Sequence, residues 1–148
     1  MNSKTLLIAI IFLLLPLCTC SSAPDTATVT QVIDGDTITI GTGQRVRYIG
    51  IDTPEVHPQQ EAYGMEAWQA NRQLVEGKKV RLEKDVSNTD KYGRLLRYVY
   101  VDDIMVNAEL VRLGLAEAKT YPPDTKYQDI LAQLEKEARQ AGLGMWAK

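Results

Sequence analysis

The sequence contains very little cysteine and histidine, and this scarcity narrows the chemistry open to the chain. Its two cysteines, Cys18 and Cys20, both lie near the N-terminus, so the other residues offer no thiol for a disulfide, a zinc site or nucleophilic catalysis. The one histidine, His57, precedes Pro58 in a loop of poor rigidity, and we do not expect it to be a catalytic base. The fold must therefore be stable without cross-links.

An excess of positive charge is also lacking. The chain has 17 Lys and Arg residues against 19 Asp and Glu residues, a formal net charge of −2. Proteins that hold nucleic acid by bulk charge carry many Lys and Arg side chains against the phosphates. If the substrate is a polyanion, a bound cation and a few well-placed arginines must attract it.

The N-terminal residues predict an export signal and not a membrane-spanning helix. Lys4 is followed by the apolar run Leu6–Leu15, which is shorter than the roughly 20 residues that cross a bilayer. Pro16 and a polar stretch follow, and the segment 17–20 (Leu-Cys-Thr-Cys) resembles a bacterial lipoprotein signal.

We therefore interpret residues 1–20 as a signal peptide, which either is simply cleaved or ends in lipid attachment at Cys20. In both cases the protein is expected outside the cytoplasm: secreted, periplasmic or lipid-anchored at the cell envelope. Residues 21–28 are predicted to form a flexible tether, and residues 29–148 a single domain that we expect to be monomeric.

The remainder of the chain predicts an α+β fold. Alternation and β-branched residues mark five strands: 28–33, 37–40, 45–51, 80–86 and 95–101. Helical patterns mark three helices: 61–75, 106–113 and 130–141. Three strands, a helix and two strands form the order of a five-stranded OB-fold β-barrel with a helix between strands 3 and 4; here additional C-terminal helices follow. A generic α+β domain is the alternative that this pattern leaves open.

Two acidic segments lie where strands end. Asp34 and Asp36 flank a tight turn, and Asp52, Thr53 and Glu55 follow the third strand, which could approach that turn in a barrel. Their oxygens are the hard ligands that calcium prefers. Taken alone, Asp-Gly is also the commonest hairpin turn signal.

Two arginines accompany the acids. Arg47 lies in the third strand and Arg94 begins the last one, and a planar guanidinium can bind two phosphate oxygens at once. Singly, each would be interpreted as a solvated charge or an ion pair.

Together these segments resemble the staphylococcal nuclease (thermonuclease) family. The matching motifs occur in order: 32–37, 47–55, 90–94 and 105–112. The resemblance implies a calcium-dependent nuclease that hydrolyses DNA and RNA with little sequence specificity and leaves 3′-phosphate ends. The alternative is a non-catalytic OB-fold module that binds nucleic acid or another ligand; such degenerate members usually lose the acidic or arginine residues.

The resemblance implies one calcium ion bound by the carboxylates of Asp36 and Asp52 and by the main-chain carbonyl of Thr53. It places Asp34 behind these ligands, where it would orient them. Glu55 would activate the attacking water or only position it.

For the substrate, the resemblance implies that Arg47 and Arg94 stabilise the charge that builds on the phosphorus oxygens, with Arg94 also near the departing 5′-oxygen. Lys91 and Tyr92 would hold a neighbouring phosphate, and Tyr121 would pack against a base. The family has two tyrosines where this chain has one, which predicts weaker base stacking. The loop 56–62 is shorter, with glutamines in place of lysines, which predicts weaker binding of long DNA.

Overall fold

A computed structural model describes residues 25–148. The predicted signal peptide with Cys20 and residues 21–24 of the predicted tether lie outside the described residues. Within the described range, none of the helices is long and apolar enough to cross a bilayer. The first strand begins at Thr26 and pairs with a later strand, Thr26 opposite Arg81 and Thr28 opposite Lys79. Residues 26–28, assigned above to the tether, are therefore part of the barrel, because their main chain hydrogen-bonds to that strand.

The described residues form eight strands and three α-helices. The strands are β1 (Thr26–Val32), β2 (Thr37–Ile40), β3 (Arg45–Tyr48), β4 (Ile51–Asp52), β5 (Lys79–Glu83), β6 (Leu95–Val101), β7 (Ile104–Met105) and β8 (Glu117–Ala118). The helices are α1 (Gly64–Val75), α2 (Val106–Arg112) and α3 (Gln128–Ala141), and a short 3-10 helix covers Gly144–Trp146.

Five strands close into a barrel. Neighbouring strands pair antiparallel in the order β3-β2-β1-β5-β6, and a parallel pairing of β3 with β6, Val46 opposite Leu95, joins the two ends. Helix α1 lies between the third and fourth barrel strands, and α2 and α3 follow the barrel. The predicted α+β OB-fold is confirmed.

The barrel interior is apolar because alternate residues of each strand point inward. Ile38, Val46 and Val99 are completely buried there, and Leu110 of α2 and Leu131 of α3 join the same core. The barrel and the C-terminal helices therefore share one hydrophobic core.

The third predicted strand, 45–51, is interrupted in the structure. Gly50 has φ +80°, and a Cβ at this position would lie 2.6 Å from Leu131 Cδ1, so the chain can bend sharply here only with glycine. After this bend β4 leaves the barrel and pairs with β8 instead. The interruption places Asp52 opposite Glu117 of β8.

Helical boundaries and faces also differ in part from the prediction. Helix α1 begins at Gly64, three residues after the predicted start, because Tyr63 has a left-handed backbone with φ 66°. On α3, Leu131 and Ala138 are buried as the apolar stripe predicts, but Ile130 is 53% exposed because it lies beside that stripe.

Candidate metal and phosphodiester site

Three aspartates meet beside one end of β1 and β2. Asp34 and Asp36 occupy the turn between these strands, and Asp52 ends β4. A Cβ on Gly35 would lie 2.6 Å from the Thr53 hydroxyl oxygen, so the absence of a side chain lets the turn approach this segment closely. The two acidic segments singled out in the sequence are therefore adjacent, and Asp34, Asp36 and Asp52 are called the acidic cluster below.

Main-chain and hydroxyl donors hold the acidic cluster. Asp36 Oδ2 accepts a hydrogen bond from the Thr53 main-chain N–H at 3.0 Å, and Oδ1 accepts one from the Thr37 hydroxyl at 3.1 Å. Asp34 Oδ1 accepts the Asp36 main-chain N–H at 3.0 Å. Because these donors belong to β2 and to the segment that follows β4, the direction of the Asp36 carboxylate is set before any ligand binds.

Buried polar residues of α1 and β3 support the turn from behind. The Asn71 side-chain amide donates to the main-chain carbonyl of Asp34 at 3.0 Å, and the Tyr48 hydroxyl donates to Asn71 Oδ1 at 2.8 Å. Asn71 is fully buried, so this chain of bonds links the helix rigidly to the turn.

Arg47 lies between two of the acids. Its Nη1 is 2.5 Å from Asp36 Oδ2, and its Nη2 donates to Asp52 Oδ1 at 2.8 Å. Nη1 is buried, and Asp36 is its ion-pair partner. One guanidinium charge is therefore shared between two carboxylates.

Burial raises the pKa values of two of the site carboxyl groups, Asp36 and Glu55. Desolvation raises the pKa of Asp36 to about 7, and the nearby Arg47 charge only partly opposes this rise. Desolvation, and next the charge of Asp34, also raise the pKa of Glu55 above its ordinary value, again against Arg47. Glu55 is thus close enough to the acidic cluster to feel its charge, although it lies on the exposed side.

The second arginine faces a cavity of about 530 Å³ next to the acidic cluster. Arg47 and Arg94 both line this cavity, together with the predicted substrate-binding residues Lys91, Tyr92 and Tyr121. Arg94 Nε donates to Asp90 Oδ2 at 2.7 Å, while Asp90 Oδ1 accepts the main-chain N–H of Arg94 at 3.0 Å. Asp90 therefore holds both the backbone and the side chain of Arg94.

Two further segments, residues 86–92 and 121–124, contribute to the lining of the cavity and are called the outer wall below. Asp124 joins its two segments, because its Oδ1 accepts the main-chain N–H groups of Val86 at 3.0 Å and of Ser87 at 2.8 Å. Asp124 is buried, with 6% of its surface exposed. These bonds tie together two segments that both line the cavity, through Ser87 and Asp124.

A second set of bonds anchors the chain just beyond the outer wall. Glu83 Oε1 accepts hydrogen bonds from Lys126 Nζ at 2.5 Å and from the Tyr127 hydroxyl at 2.9 Å. Asp85 Oδ2 accepts the main-chain N–H of Lys126 at 2.9 Å. The residues that follow the outer wall are thus tied to β5 and the loop after it.

The donors present fit a hard divalent cation. One guanidinium contacts both Asp36 and Asp52, so the two carboxylates lie close enough for a single cation to neutralise them. Within residues 25–148, no three Asp, Glu, His or Cys side chains form a metal-binding group. A calcium site does not require three such side chains, because main-chain carbonyls and water can supply some of the roughly 6–8 oxygen ligands of the ion.

The structure thus brings the sequence-predicted residues together in two groups. Asp34, Asp36, Arg47, Asp52 and Thr53 form direct contacts, with Glu55 beside them. The second group lines the cavity: Lys91, Tyr92, Arg94 and Tyr121.

Sequence reasoning missed three residues that act on the site: Asn71, Lys119 and Asp124. Lys119 Nζ lies 2.7 Å from Asp52 Oδ2. In the sequence Asn71 is one polar residue in a helix and Lys119 one of many charges. Only the position of Asp124 directly after two prolines was a signal, and it indicated a turn and not a tie to a distant loop.

Comparison with known proteins agrees with this geometry. The family model described as "Staphylococcal nuclease homologue" matches residues 45–148. The thermonuclease of Staphylococcus intermedius is 45% identical over 126 residues, which cover 81% of this chain and 75% of the relative. The thermonuclease of Staphylococcus hyicus is 42% identical over 125 residues, covering 80% and 74%. The endonuclease YncB of Bacillus subtilis is 43% identical over 129 residues, covering 82% and 61%.

The chain therefore belongs to the staphylococcal nuclease family, as its motifs predicted. The family match includes Arg47, Asp52, Glu55 and Arg94, whereas the turn with Asp36 precedes it.

Proposed function

We propose that this protein is a calcium-dependent nuclease that hydrolyses DNA and RNA with little sequence specificity and leaves 3′-phosphate ends. Membership of the family makes the chain a phosphodiester hydrolase. The observation that carries the proposal is the arrangement of Arg47, whose guanidinium contacts Asp36 and Asp52 at once and also lines the adjacent cavity. Carboxylates for a cation and arginines for a phosphate thus share one site.

For the metal, Asp36, Asp52 and the main-chain carbonyl of Thr53 would hold one calcium ion, with Asp34 orienting the turn. When bound, the ion supplies positive charge that neutralises the phosphate and favours ionisation of a nearby water. A cation also opposes the effect of burial on Asp36, since it stabilises the carboxylate over the neutral acid.

For the reaction, Arg47 and Arg94 both line the cavity, and we assign to them the binding of the oxygens of one phosphate. Such donors lower the barrier when their interaction strengthens as negative charge builds on those oxygens. Glu55 lies on the exposed side of the acidic cluster and accepts or orients the proton of the attacking water. The raised pKa of Glu55 makes its carboxylate a stronger base than an ordinary glutamate.

For substrate binding, Lys91, Tyr92 and Tyr121 supply one charge and two rings along the outer wall. Tyr92 and Tyr121 are exposed, 72% and 47% respectively, so their rings are accessible to a ligand in the cavity. Bases can stack on such rings whatever their identity, which fits low sequence specificity. Export is part of the proposal too, with residues 1–20 as a signal that ends in cleavage or in lipid attachment at Cys20.

Cleavage of single-stranded DNA and RNA tests this function. We expect cleavage with calcium, none with a chelator, and products that carry a 5′-hydroxyl and a 3′-phosphate, identified by mass spectrometry. Glu55→Gln should lower the rate strongly, whereas Glu76→Gln, a change on the far end of α1, is the matched control. Binding of DNA without any cleavage under these conditions would favour the non-catalytic OB-fold module.

A further inference from the structure

A lysine outside the sequence motifs contacts the acidic cluster. Lys119 directly follows β8, and its main-chain N–H donates to the Gly50 carbonyl at 2.9 Å, beside the bend that separates β3 from β4. Its ammonium nitrogen lies 2.7 Å from Asp52 Oδ2. The pairing of β4 with β8 therefore places a positive charge on a carboxylate that we assign to the metal site.

Both oxygens of Asp52 are thus occupied by cations of the protein itself. Arg47 contacts Oδ1 and Lys119 contacts Oδ2. A divalent cation that binds Asp52 must displace one of these groups or share the carboxylate with it, and either event reduces the gain from binding.

The two protein cations differ in how firmly they are held. The Arg47 side chain is 14% exposed and also contacts Asp36, whereas the Lys119 side chain is 48% exposed. Ion pairs at such exposed positions are weak and screened by salt. Lys119 is therefore the group that an arriving cation displaces more easily.

We propose that Lys119 is a positioning residue that competes with calcium for Asp52 and so lowers the calcium affinity of the substrate-free protein. This inference rests on the proposed calcium dependence. The rival explanation is that Lys119 only ties β8 to β4 as a surface ion pair, in which case its removal alters calcium binding no more than the loss of any neighbouring positive charge.

Calcium titration without nucleic acid separates these explanations. Isothermal calorimetry would compare the wild type with Lys119→Met, Lys119→Arg and Lys91→Met. Lys91 is the matched control, because it lines the adjacent cavity and its ammonium lies over the Tyr92 ring. We expect the Kd of Lys119→Met to fall about fivefold, as the loss of a competing exposed ion pair implies. Lys91→Met should change the Kd less than twofold, and Lys119→Arg should stay near the wild type.

Salt gives a second readout that does not depend on activity. At about 1 M salt, where charges are screened beyond roughly 3 Å, the difference between Lys119→Met and the wild type should shrink. Equal affinity changes in Lys119→Met and Lys91→Met, or weaker calcium binding by Lys119→Met, would overturn the inference while leaving the proposed function intact. Failure of all four folded proteins to bind calcium would overturn the proposed cofactor and this inference with it.

Discussion

The acidic cluster and the outer wall use aspartates in opposite ways. In the cluster, Asp36 is buried next to Asp34 and Asp52, and burial raises its pKa because the charged form is poorly solvated. In the outer wall, the buried carboxylate of Asp124 accepts two main-chain N–H groups. The first arrangement leaves a carboxylate poorly solvated and so opposes folding. The second gives the buried carboxylate two hydrogen-bond donors and so stabilises the fold.

The two regions also differ in the span of chain that they connect. Asp34 bonds to Asp36 two residues away within one turn, whereas Asp124 reaches Val86 across 38 residues. A bond within one turn thus positions Asp34 relative to Asp36, whereas a bond between distant segments holds the outer wall.

The largest expected effect concerns Arg94, which links the two regions. Arg94→Lys keeps the charge but loses the planar fork, so kcat should fall by about 10²- to 10³-fold if Arg94 acts in the transition state. Steady-state kinetics on single-stranded DNA would measure kcat and KM separately. Arg81→Lys, at an exposed ion pair with Glu83, is the control and should retain the wild-type kcat. A change confined to KM would instead assign Arg94 to the substrate-binding residues of the outer wall.

The next effect tests whether Asp124 stabilises the outer wall. Asp124→Ala leaves two main-chain N–H groups without their acceptor, so the free energy of unfolding should fall by about 1–3 kcal/mol. Urea unfolding monitors this change, with Asp103→Ala in the exposed turn between β6 and β7 as the control. Because Ser87 and Asp124 both line the cavity, the loss of this tie should raise KM more than it lowers kcat. An unchanged stability would show that the outer wall does not depend on this tie.

A smaller effect of opposite sign is expected in the acidic cluster. With calcium removed, Asp36→Asn abolishes a buried charge but also an ion pair with Arg47, so the net gain in stability should be on the order of 1 kcal/mol. The same variant should lose most of its calcium-dependent activity. Urea unfolding in chelator above neutral pH, where a carboxyl with a pKa of about 7 is mostly ionised, measures the gain. A clear loss of stability would mean that the ion pair with Arg47 contributes more free energy than burial of the Asp36 charge costs. Asp36 would then stabilise the fold, as Asp124 does.

The smallest effect concerns the ties beyond the outer wall and depends on pH. Burial alone would raise the pKa of Glu83, but hydrogen bonds from Lys126, Arg81 and Tyr127 outweigh it and lower the pKa to about 2. The unfolded chain binds this proton near pH 4.3, so the stabilisation is present above that pH and is lost as pH falls toward 2. Glu83→Gln should therefore be less stable than the wild type at pH 7, and the difference should vanish near pH 2. A difference that stayed constant with pH would indicate lost packing instead of lost charge.

Much of the fold could be predicted from the sequence because the barrel depends on local patterns. The alternation in β5, where Val80 and Leu82 are buried, and the apolar stripe of α3 each require only neighbouring residues to show which face is buried. The predicted strand boundaries were wrong where contacts between distant residues determine them. Residues 26–28 become a strand because β5 offers a partner, and the third strand ends early because Gly50 lies against Leu131.

The sequence by itself determined the chemical types at the site: its motifs contain the carboxylates for a hard cation and the two arginines for a phosphate. Only the tertiary structure decided how these groups pair, since the position of a side chain across 37 or 67 residues depends on the packing of whole elements and not on its neighbours. Asn71 beneath Asp34, Lys119 on Asp52 and Asp124 across the cavity are all contacts of this kind. Each is an ordinary polar residue in the sequence and acquires its role only when the barrel closes.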